Sequence, residues 1–438
     1  MNTSIRSRRR AGVRAAACAL LAASVAGLTV AAVGEGKPLT QQSGPPVEIS
    51  LAPTPQTTSR PPAIRAPHAV LIDAGTGAVL YAKGADAPRP IASTTKLMTA
   101  FIALRRTRPT EVFKVPPYSA QPAESTAGLR TGERLTVRDL LRAMLLASAN
   151  EAAATLARGI AGTEGAFVAQ MNAEAARLHL TATSYTNPIG LDAPGNHSSA
   201  RDLATLARRL MRDPRFATIV DLPAARLTSG AHPRVVLNRN TLVRSVPFVD
   251  GVKTGHTHAA GYVLVGAARR AGAQVVSVVL GEPSEAARSS ESLALLRYGL
   301  RQFVARKLVS RANTVALAPI RWFDGVHIQL RPQRDVTLSV RRGTPLRLRV
   351  FPPRRLSGPL PAGRRVGSIL VMVGLKHALR VGLVTAQPVP GASFARRASI
   401  AIGRQGWALV CGLVAIALLA ALRLSRGELL PRGRAPGT

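Results

Sequence analysis

Three short polar clusters interrupt the apolar stretches of this 438-residue chain, and their residue types suit acyl transfer. Ser93-Thr94-Thr95-Lys96 sets a serine and a lysine three apart at the start of a helix that carries Leu97, Met98, Phe101, Ile102 and Leu104. Three residues make one turn, so both side chains lie on one face, and the helix N-terminus adds positive potential at Ser93. A serine hydroxyl is a poor nucleophile until a base takes its proton. A lysine in an apolar pocket beside a second cation has its pKa lowered enough to be that base. Ser148-Ala149-Asn150 lies between the apolar helical stretch 137–147 and a second helix from Glu151. There Ser148 can relay a proton towards a leaving amine, and Asn150 can bind a substrate amide carbonyl and hold Lys96. Lys253-Thr254-Gly255 opens a strand that continues to Tyr262. Lys253 is the second cation, Thr254 a hydroxyl, and Gly255 a place where a substrate backbone can lie close. The His256 amide can pair with that of Ser93 as an oxyanion hole. On this reading Lys96 is a neutral base and Lys253 a fixed cation. Taken singly, the first two clusters are equally a capped helix start and a helix kink; their order along the chain gives them weight.

The elements around these clusters read as α+β. Ala69 to Asp73 and Ala78 to Tyr81 are strands joined at Gly75-Thr76-Gly77, and helical periodicity starts at Ser93, Val137, Ala166 and Leu203. Thr136 with Asp139 and Ser199 with Asp202 look like helix caps. Gly261 to Ala267 and Val275 to Leu280 form a hairpin around Arg270-Ala271-Gly272, and a helix is expected from about Ser284 to Leu308. Strands at both ends with helices between imply an antiparallel sheet wrapped by helices. From about Thr314 to Thr385 the period changes to two, in segments such as Leu346-Arg347-Leu348-Arg349-Val350, which predicts a small β domain over 312–390 with one polar face.

The ends and the charge place the chain. Arg6, Arg8, Arg9, Arg10 and Arg14 precede an apolar run to Val33, so 1–34 reads as a signal peptide or N-terminal anchor. The Pro-, Thr-, Gln- and Ser-rich stretch 35–66 reads as an extended linker. The apolar run within 406–423 is at the short limit of a membrane span, and arginines follow it in a tail, 424–438, expected on the cytoplasmic face. The formal net charge is +37, and residues 301–438 alone hold 24 Lys/Arg against 3 Asp/Glu. The sequence contains no zinc finger, RNA-binding aromatic motif or helix-turn-helix signal, so nucleic acid is not the expected partner. An exported body with this charge suits an anionic envelope polymer or lipid head group instead. Both cysteines, Cys18 and Cys411, sit in the end segments, and the eight histidines show no metal-ligand spacing. No metal or other cofactor is expected.

S-x-x-K, S-x-N and K-T-G in this order mark penicillin-recognising serine enzymes. The segment from about Pro67 to Phe303 resembles the low-molecular-mass D-alanyl-D-alanine carboxypeptidases, the penicillin-binding serine peptidases of the cell wall. Asn187-Pro188-Ile189-Gly190-Leu191-Asp192, Ser199-Ala200-Arg201-Asp202, Val249-Asp250-Gly251-Val252, Ala260-Gly261-Tyr262 and Val279-Leu280-Gly281 carry the likeness further. The resemblance implies a β-lactamase/transpeptidase-like domain over 67–305 and a serine D-Ala-D-Ala carboxypeptidase that trims peptidoglycan stem peptides and is inhibited by β-lactams. It implies Ser93 as the acylated nucleophile, Lys96 as base, and Ser148 and Lys253 as the remaining catalytic groups. Asn150, Thr254, Gly255 and His256 then bind substrate, and Arg239 and Arg288 lie near its terminal carboxylate. Two departures stand out: Ser148-Ala149-Asn150-Glu151 replaces the usual Ser-Gly-Asn-Asp, and the stretch near 116–129 is short. A serine β-lactamase is the nearest other enzyme, but neither Glu164 nor Glu174 is followed by Asn four positions on. A non-catalytic wall-binding or sensor protein is the alternative from another class. The expected place is the cell membrane, with the catalytic domain outside.

Overall fold

The computed structural model describes residues 44–55 and 60–426. The expected signal segment lies outside them, as does the tail from 427 onwards. The chain enters through β1 (Val47–Leu51), followed by the hairpin β2 (His68–Asp73) and β3 (Val79–Lys83). A single 3-10 turn, Ala92–Thr95, leads into α1 (Lys96–Arg106). A short hairpin of β4 (Val112–Lys114) and β5 (Arg134–Thr136) precedes α2 (Val137–Leu146), α3 (Asn150–Ala161) and α4 (Glu164–Arg177). Then come α5 (Ala200–Leu210), α6 (Pro214–Val220), the hairpin β6 (Ala224–Leu227) and β7 (Arg234–Leu237), and α7 (Thr241–Ser245). Three long strands, β8 (Val249–Thr257), β9 (Gly261–Arg270) and β10 (Ala273–Glu282), and α8 (Glu285–Arg301) complete this part.

The five strands β3-β2-β10-β9-β8 form one antiparallel sheet drawn from both ends of the segment. The central segments of its middle strands, Ala69–Ile72, Val263–Ala268 and Val275–Leu280, are buried throughout because both faces are covered. Val70 and Ile72 of β2 join one core with α1, α2, α3 and α5, whereas Ala69 and Leu71 join the other with Leu295 and Leu296 of α8. The caps read from sequence are present: Thr136 accepts from the Asp139 amide at 3.3 Å and Ser199 from that of Asp202 at 3.1 Å.

The second region differs from expectation at its edges. The helix expected to reach Leu308 stops at Arg301, and Phe303–Val309 becomes β11, which pairs with β14 (Val336–Arg341). The apolar spacing there serves either period, and pairing with β14 decides it. β12 (Ala316–Ile320), β13 (Phe323–Pro332), β15 (Leu346–Phe351), β16 (Arg365–Val373) and β17 (Lys376–Thr385) form a six-stranded sheet whose edge is β1, in the order β1-β15-β16-β17-β13-β12. So the described part of the expected linker is not a free linker. Val47-Glu48-Ile49-Ser50-Leu51 alternates in polarity, and Ile49 and Leu51 pack on the β-domain core. A final helix, α9 (Phe394–Arg426), is broken at Gly403, where φ is +68°. Its Gly406–Arg423 portion is long and apolar enough to cross a membrane, with a mean hydropathy of 2.1 and none of it buried in the protein.

Asp139, fully buried in the first turn of α2, fixes the β6–β7 hairpin that leads to the site. It accepts from the Thr228 and Ser229 amides (both 2.9 Å), from Ser229 Oγ (2.7 Å) and from Arg142 Nη1 (3.2 Å). Burial pushes its carboxyl up, but the bonds from Ser229, Thr228 and Arg142 outweigh it and hold it below its ordinary value. A depressed folded-state pKa adds stability above the unfolded value near 4, lost as pH falls through the folded value. Asp139→Ala is expected to lower stability by about 3 kcal/mol at neutral pH, with the difference from wild type shrinking in acid. Urea unfolding at pH 7 and pH 3 checks this; an equal difference at both would exclude the charge as its source.

Candidate active site

Ser93 stands in the 3-10 turn, one residue after Ala92, whose φ of +47° is in the left-handed region despite its side chain. The turn is held by Thr94 Oγ1 donating to the Ile91 carbonyl at 2.6 Å. Lys96, the first residue of α1, is fully buried, and its Nζ lies 2.9 Å from Ser93 Oγ, 2.6 Å from Asn150 Oδ1 and 2.5 Å from the Ile189 carbonyl. The loop carrying Ile189 is shaped by Asn187, whose Oδ1 accepts from the amides of Ile189 (3.2 Å) and Gly190 (2.6 Å). Gly190 has φ +89°, and a Cβ on it would lie 2.1 Å from the Ala92 carbonyl oxygen. That position admits only glycine, because the loop must touch the backbone that presents Ser93.

Ser148 also sits in the left-handed region, with φ +64°, between α2 and α3. Lys253, on β8 and 1% exposed, donates from Nζ to Ser148 Oγ at 3.0 Å and to the Thr254 carbonyl at 2.8 Å. Strand β8 runs against the Ser93 turn. A Cβ on Gly255 would come within 3.0 Å of both the Ser93 nitrogen and Ala92 Cβ, and 2.7 Å from Val263 Cγ2. Glycine here serves that internal approach, where the sequence reading gave it to a substrate backbone. The His256 ring stacks on Tyr262 with centroids 4.0 Å apart.

These groups open on a cavity of about 490 Å³ lined by Ser93, Ser125, Ser148, Arg239, Arg244, Thr254, Gly255, His256, Tyr262, Glu285 and Arg288, among others. Arg288 is 4% exposed; Nη2 donates to Glu285 Oε1 at 2.6 Å, its guanidinium lies 5.9 Å from the Tyr262 ring centroid, and its buried Nε has no protein acceptor. Arg239 reaches the same cavity from the segment after β7, its Nε on the Ala147 carbonyl at 3.0 Å. All ten residues singled out in the sequence are therefore gathered at one place. Among the described residues no group of three or more His, Cys, Asp or Glu could hold a metal ion.

Sequence reasoning missed the short segment 116–129 as a source of site residues. Its Glu124 accepts from Asn150 Nδ2 at 2.7 Å and from the Tyr118 hydroxyl, and the Asn150 amide donates to the Ser125 carbonyl at 2.9 Å. Glu151 explains itself here: its Oε1 accepts from the Ala127 (2.6 Å) and Leu129 (3.3 Å) amides and ties the segment to α3. Nothing in the spacing of Glu124 and Glu151 could have found them, because their place beside a buried lysine depends on the folded chain.

The electrostatics follow from burial. Desolvation lowers the Lys96 pKa to about 7; Glu124 and Glu151 oppose the shift and Arg239 adds to it. Lys253 is driven well below its ordinary value, first by burial, then by Lys96, Arg239 and Arg288. Both lysines are thus shifted the same way, because two ammonium groups buried together disfavour each other's charge.

Residues 55–284 match the peptidase S11 family, D-alanyl-D-alanine carboxypeptidase. The chain is 33% identical over 354 residues to the D-alanyl-D-alanine carboxypeptidase DacD of Escherichia coli (strain K12), covering 77% of this chain and 90% of that one. Among solved structures it is similar to penicillin binding protein 5 from Haemophilus influenzae, with 29% identity, a TM-score of 0.54, and 76% of this chain and 100% of that one covered. It is also similar to the Streptomyces K15 DD-transpeptidase, with 32% identity, a TM-score of 0.52, and 56% and 100% covered.

Gly190→Ala is expected to move the Ala92 carbonyl and with it Ser93. A displacement of about 1 Å at a reacting group costs on the order of a hundredfold in rate. Labelling by a fluorescent penicillin should slow by that order while far-UV circular dichroism stays that of the wild type; unchanged labelling would show that the loop gives way without disturbing Ser93.

Proposed function

Because the chain belongs to the D-alanyl-D-alanine carboxypeptidase family of serine peptidases, we propose that Ser93, Lys96, Ser148 and Lys253 perform that family's hydrolysis at the site described above. The protein is a serine-type D-Ala-D-Ala carboxypeptidase, of a family that acts on peptidoglycan peptides and binds β-lactams. The observation that carries the residue assignment is the buried Lys96 Nζ at 2.9 Å from Ser93 Oγ. With its pKa near 7, Lys96 is substantially neutral at working pH and takes the serine proton as Oγ bonds to the carbonyl carbon of the penultimate D-alanine. The peptide C–N bond then breaks, and the proton that Lys96 accepted passes through Ser148, which Lys253 holds, to the departing D-alanine nitrogen, which leaves Lys96 neutral again. Water next attacks the ester on Ser93 and gives a proton to Lys96, which restores the serine hydroxyl.

The terminal carboxylate of the stem peptide meets Arg288, Arg239 and Thr254 in the cavity. The unpartnered Arg288 Nε supports this placement, since guanidinium and carboxylate pair by two parallel bonds. An arriving carboxylate also supplies the negative charge that lets Lys253 take up a proton. The apolar portion of α9 supports anchorage of an extracytoplasmic body, with the tail on the cytoplasmic side. A cleft of about 650 Å³ where α8, the β9–β10 turn, β11 and β14 meet is lined by Arg270, Arg297, Arg301 and Arg342 and by no Asp or Glu. It supports an anionic envelope polymer as a surface partner.

Two experiments test the assignment. Ser93→Ala should abolish both penicillin labelling, read as intact mass, and D-alanine release from a D-Ala-D-Ala peptide. Wild-type acylation should rise with pH through about 7 as Lys96 loses its proton, whereas Lys96→Arg should be inactive throughout. Labelling that survives in Ser93→Ala would place the nucleophile elsewhere. Separately, Arg288→Ala should lower kcat/KM by about tenfold to a thousandfold on the free-acid peptide and less on its C-terminal amide. Equal losses on both would assign carboxylate selection to Arg239 or Thr254.

A further inference from the structure

Glu124 stands one bond beyond the machinery just assigned. Its Oε2 accepts from Asn150 Nδ2 at 2.7 Å, and Asn150 Oδ1 in turn accepts from Lys96 Nζ at 2.6 Å. An asparagine amide can face either way, and only one orientation offers its oxygen to the lysine. The carboxylate settles it, because an acceptor-only group accepts from the NH₂ end. Tyr118 donates its hydroxyl to the same Oε2, and the Gln121 amide donates to Oε1 at 3.1 Å, so the carboxylate is itself held from three sides. Burial pushes the Glu124 carboxyl up, but the bonds from Tyr118, Asn150 and Gln121 and the charge of Lys96 outweigh it. It is therefore ionised wherever the enzyme works.

We infer that Glu124 is a positioning residue for acylation, which fixes the Asn150 amide so that it presents Oδ1 to Lys96 and places a negative charge one side chain away from the Lys96 nitrogen. This rests on Lys96 being the base. The groups around that nitrogen divide into two sets. Glu124 and Glu151 favour its protonated form, and Arg239 disfavours it; Lys253, across Ser148, is a further titratable amine of the same cluster. Glu151 is already committed to the Ala127 and Leu129 amides. Glu124 is thus the carboxylate that reaches Lys96 through a hydrogen-bonded chain, and its removal acts on both the geometry and the proton affinity of the base.

Three variants of the full-length enzyme separate these effects. Glu124→Gln keeps an oxygen acceptor for Asn150 but removes the charge, so the acid limb of kcat/KM should move to lower pH by about one unit, as Lys96 loses a favourable neighbour. Glu124→Ala also frees the amide, and plateau kcat/KM should fall by about tenfold or more, with Glu124→Gln recovering most of that loss. Tyr118→Phe leaves the charge in place and should keep the wild-type limb. An unmoved acid limb in Glu124→Gln overturns the inference and leaves Glu124 as an anchor of its own loop. So does a plateau in Glu124→Ala equal to wild type. Stoichiometric penicillin labelling of Ser93 in each variant, read by mass, keeps this outcome apart from the assignment of the nucleophile: a variant labelled at Ser93 with an unmoved limb refutes only the role of Glu124.

Discussion

Two lysine side chains buried without a direct ion pair are the constraint around which this molecule is arranged. A lone ammonium in a protein interior is expensive enough that the group gives up its proton instead. Lys96 and Lys253 are both 1% exposed or less, and among the described residues neither touches a carboxylate. Each is met by neutral oxygens: Ser93, Asn150 and the Ile189 carbonyl for one, Ser148 and the Thr254 carbonyl for the other. The compensation is therefore partial, and a lysine that would sit charged on a surface becomes an amine able to accept a proton near neutrality. Filling the same space with carboxylates would stabilise the fold and remove the base.

Bringing those neutral oxygens into reach requires backbone conformations that the chain does not adopt freely. Ala92, just before Ser93, and Ser148 itself have positive φ, a strain on the order of 1–3 kcal/mol each. The surroundings hold them there. Gly190 lets the 187–190 loop press against the Ala92 carbonyl, and Gly255 lets β8 press against the Ser93 amide. Thr99 Oγ1, on α1, donates to the Pro188 carbonyl at 2.7 Å and joins helix to loop. The apolar faces of α1, α2, α3 and α5 pack into one core beneath these contacts. The large core is thus what allows a small number of strained residues to stay strained.

The sequence made the local parts of this arrangement readable. Ser93 and Lys96 needed only one turn of helix between them, the caps at Thr136 and Ser199 are short-range chemistry, and β9 and β10 are long apolar runs about a turn. What escaped is whatever depends on the chain doubling back. Glu124 lies in a segment without periodicity and reaches Asn150 across 26 residues. The Ile189 carbonyl serves Lys96 through a loop whose fold only Asn187 explains. β1 was hidden by the Pro and Thr around it, although Val47, Ile49 and Leu51 alternate correctly; its partner is nearly 300 residues away. The end of α8 was misplaced because the spacing of Leu296, Leu300, Val304 and Leu308 continues a helix, while Phe303–Val309 finds a strand to pair with.

The cations explain why such a site can still discriminate among anions. Arg288 is buried, and its one acidic neighbour, Glu285, is more than half exposed and on the solvent side of the pair. Arg239 and Arg244 line the same cavity. After burial itself and the nearby Lys96, Arg239 and Arg288 push protons off Lys253. On the assignment proposed above, a substrate that ends in a carboxylate would relieve this repulsion, pair with a guanidinium and raise the proton affinity of Lys253 in the same event. On that assignment a peptide without the free carboxylate would offer the guanidiniums no such partner. Recognition of the chain end and readiness of the proton relay are then one electrostatic event, with Lys253 as the group that couples them.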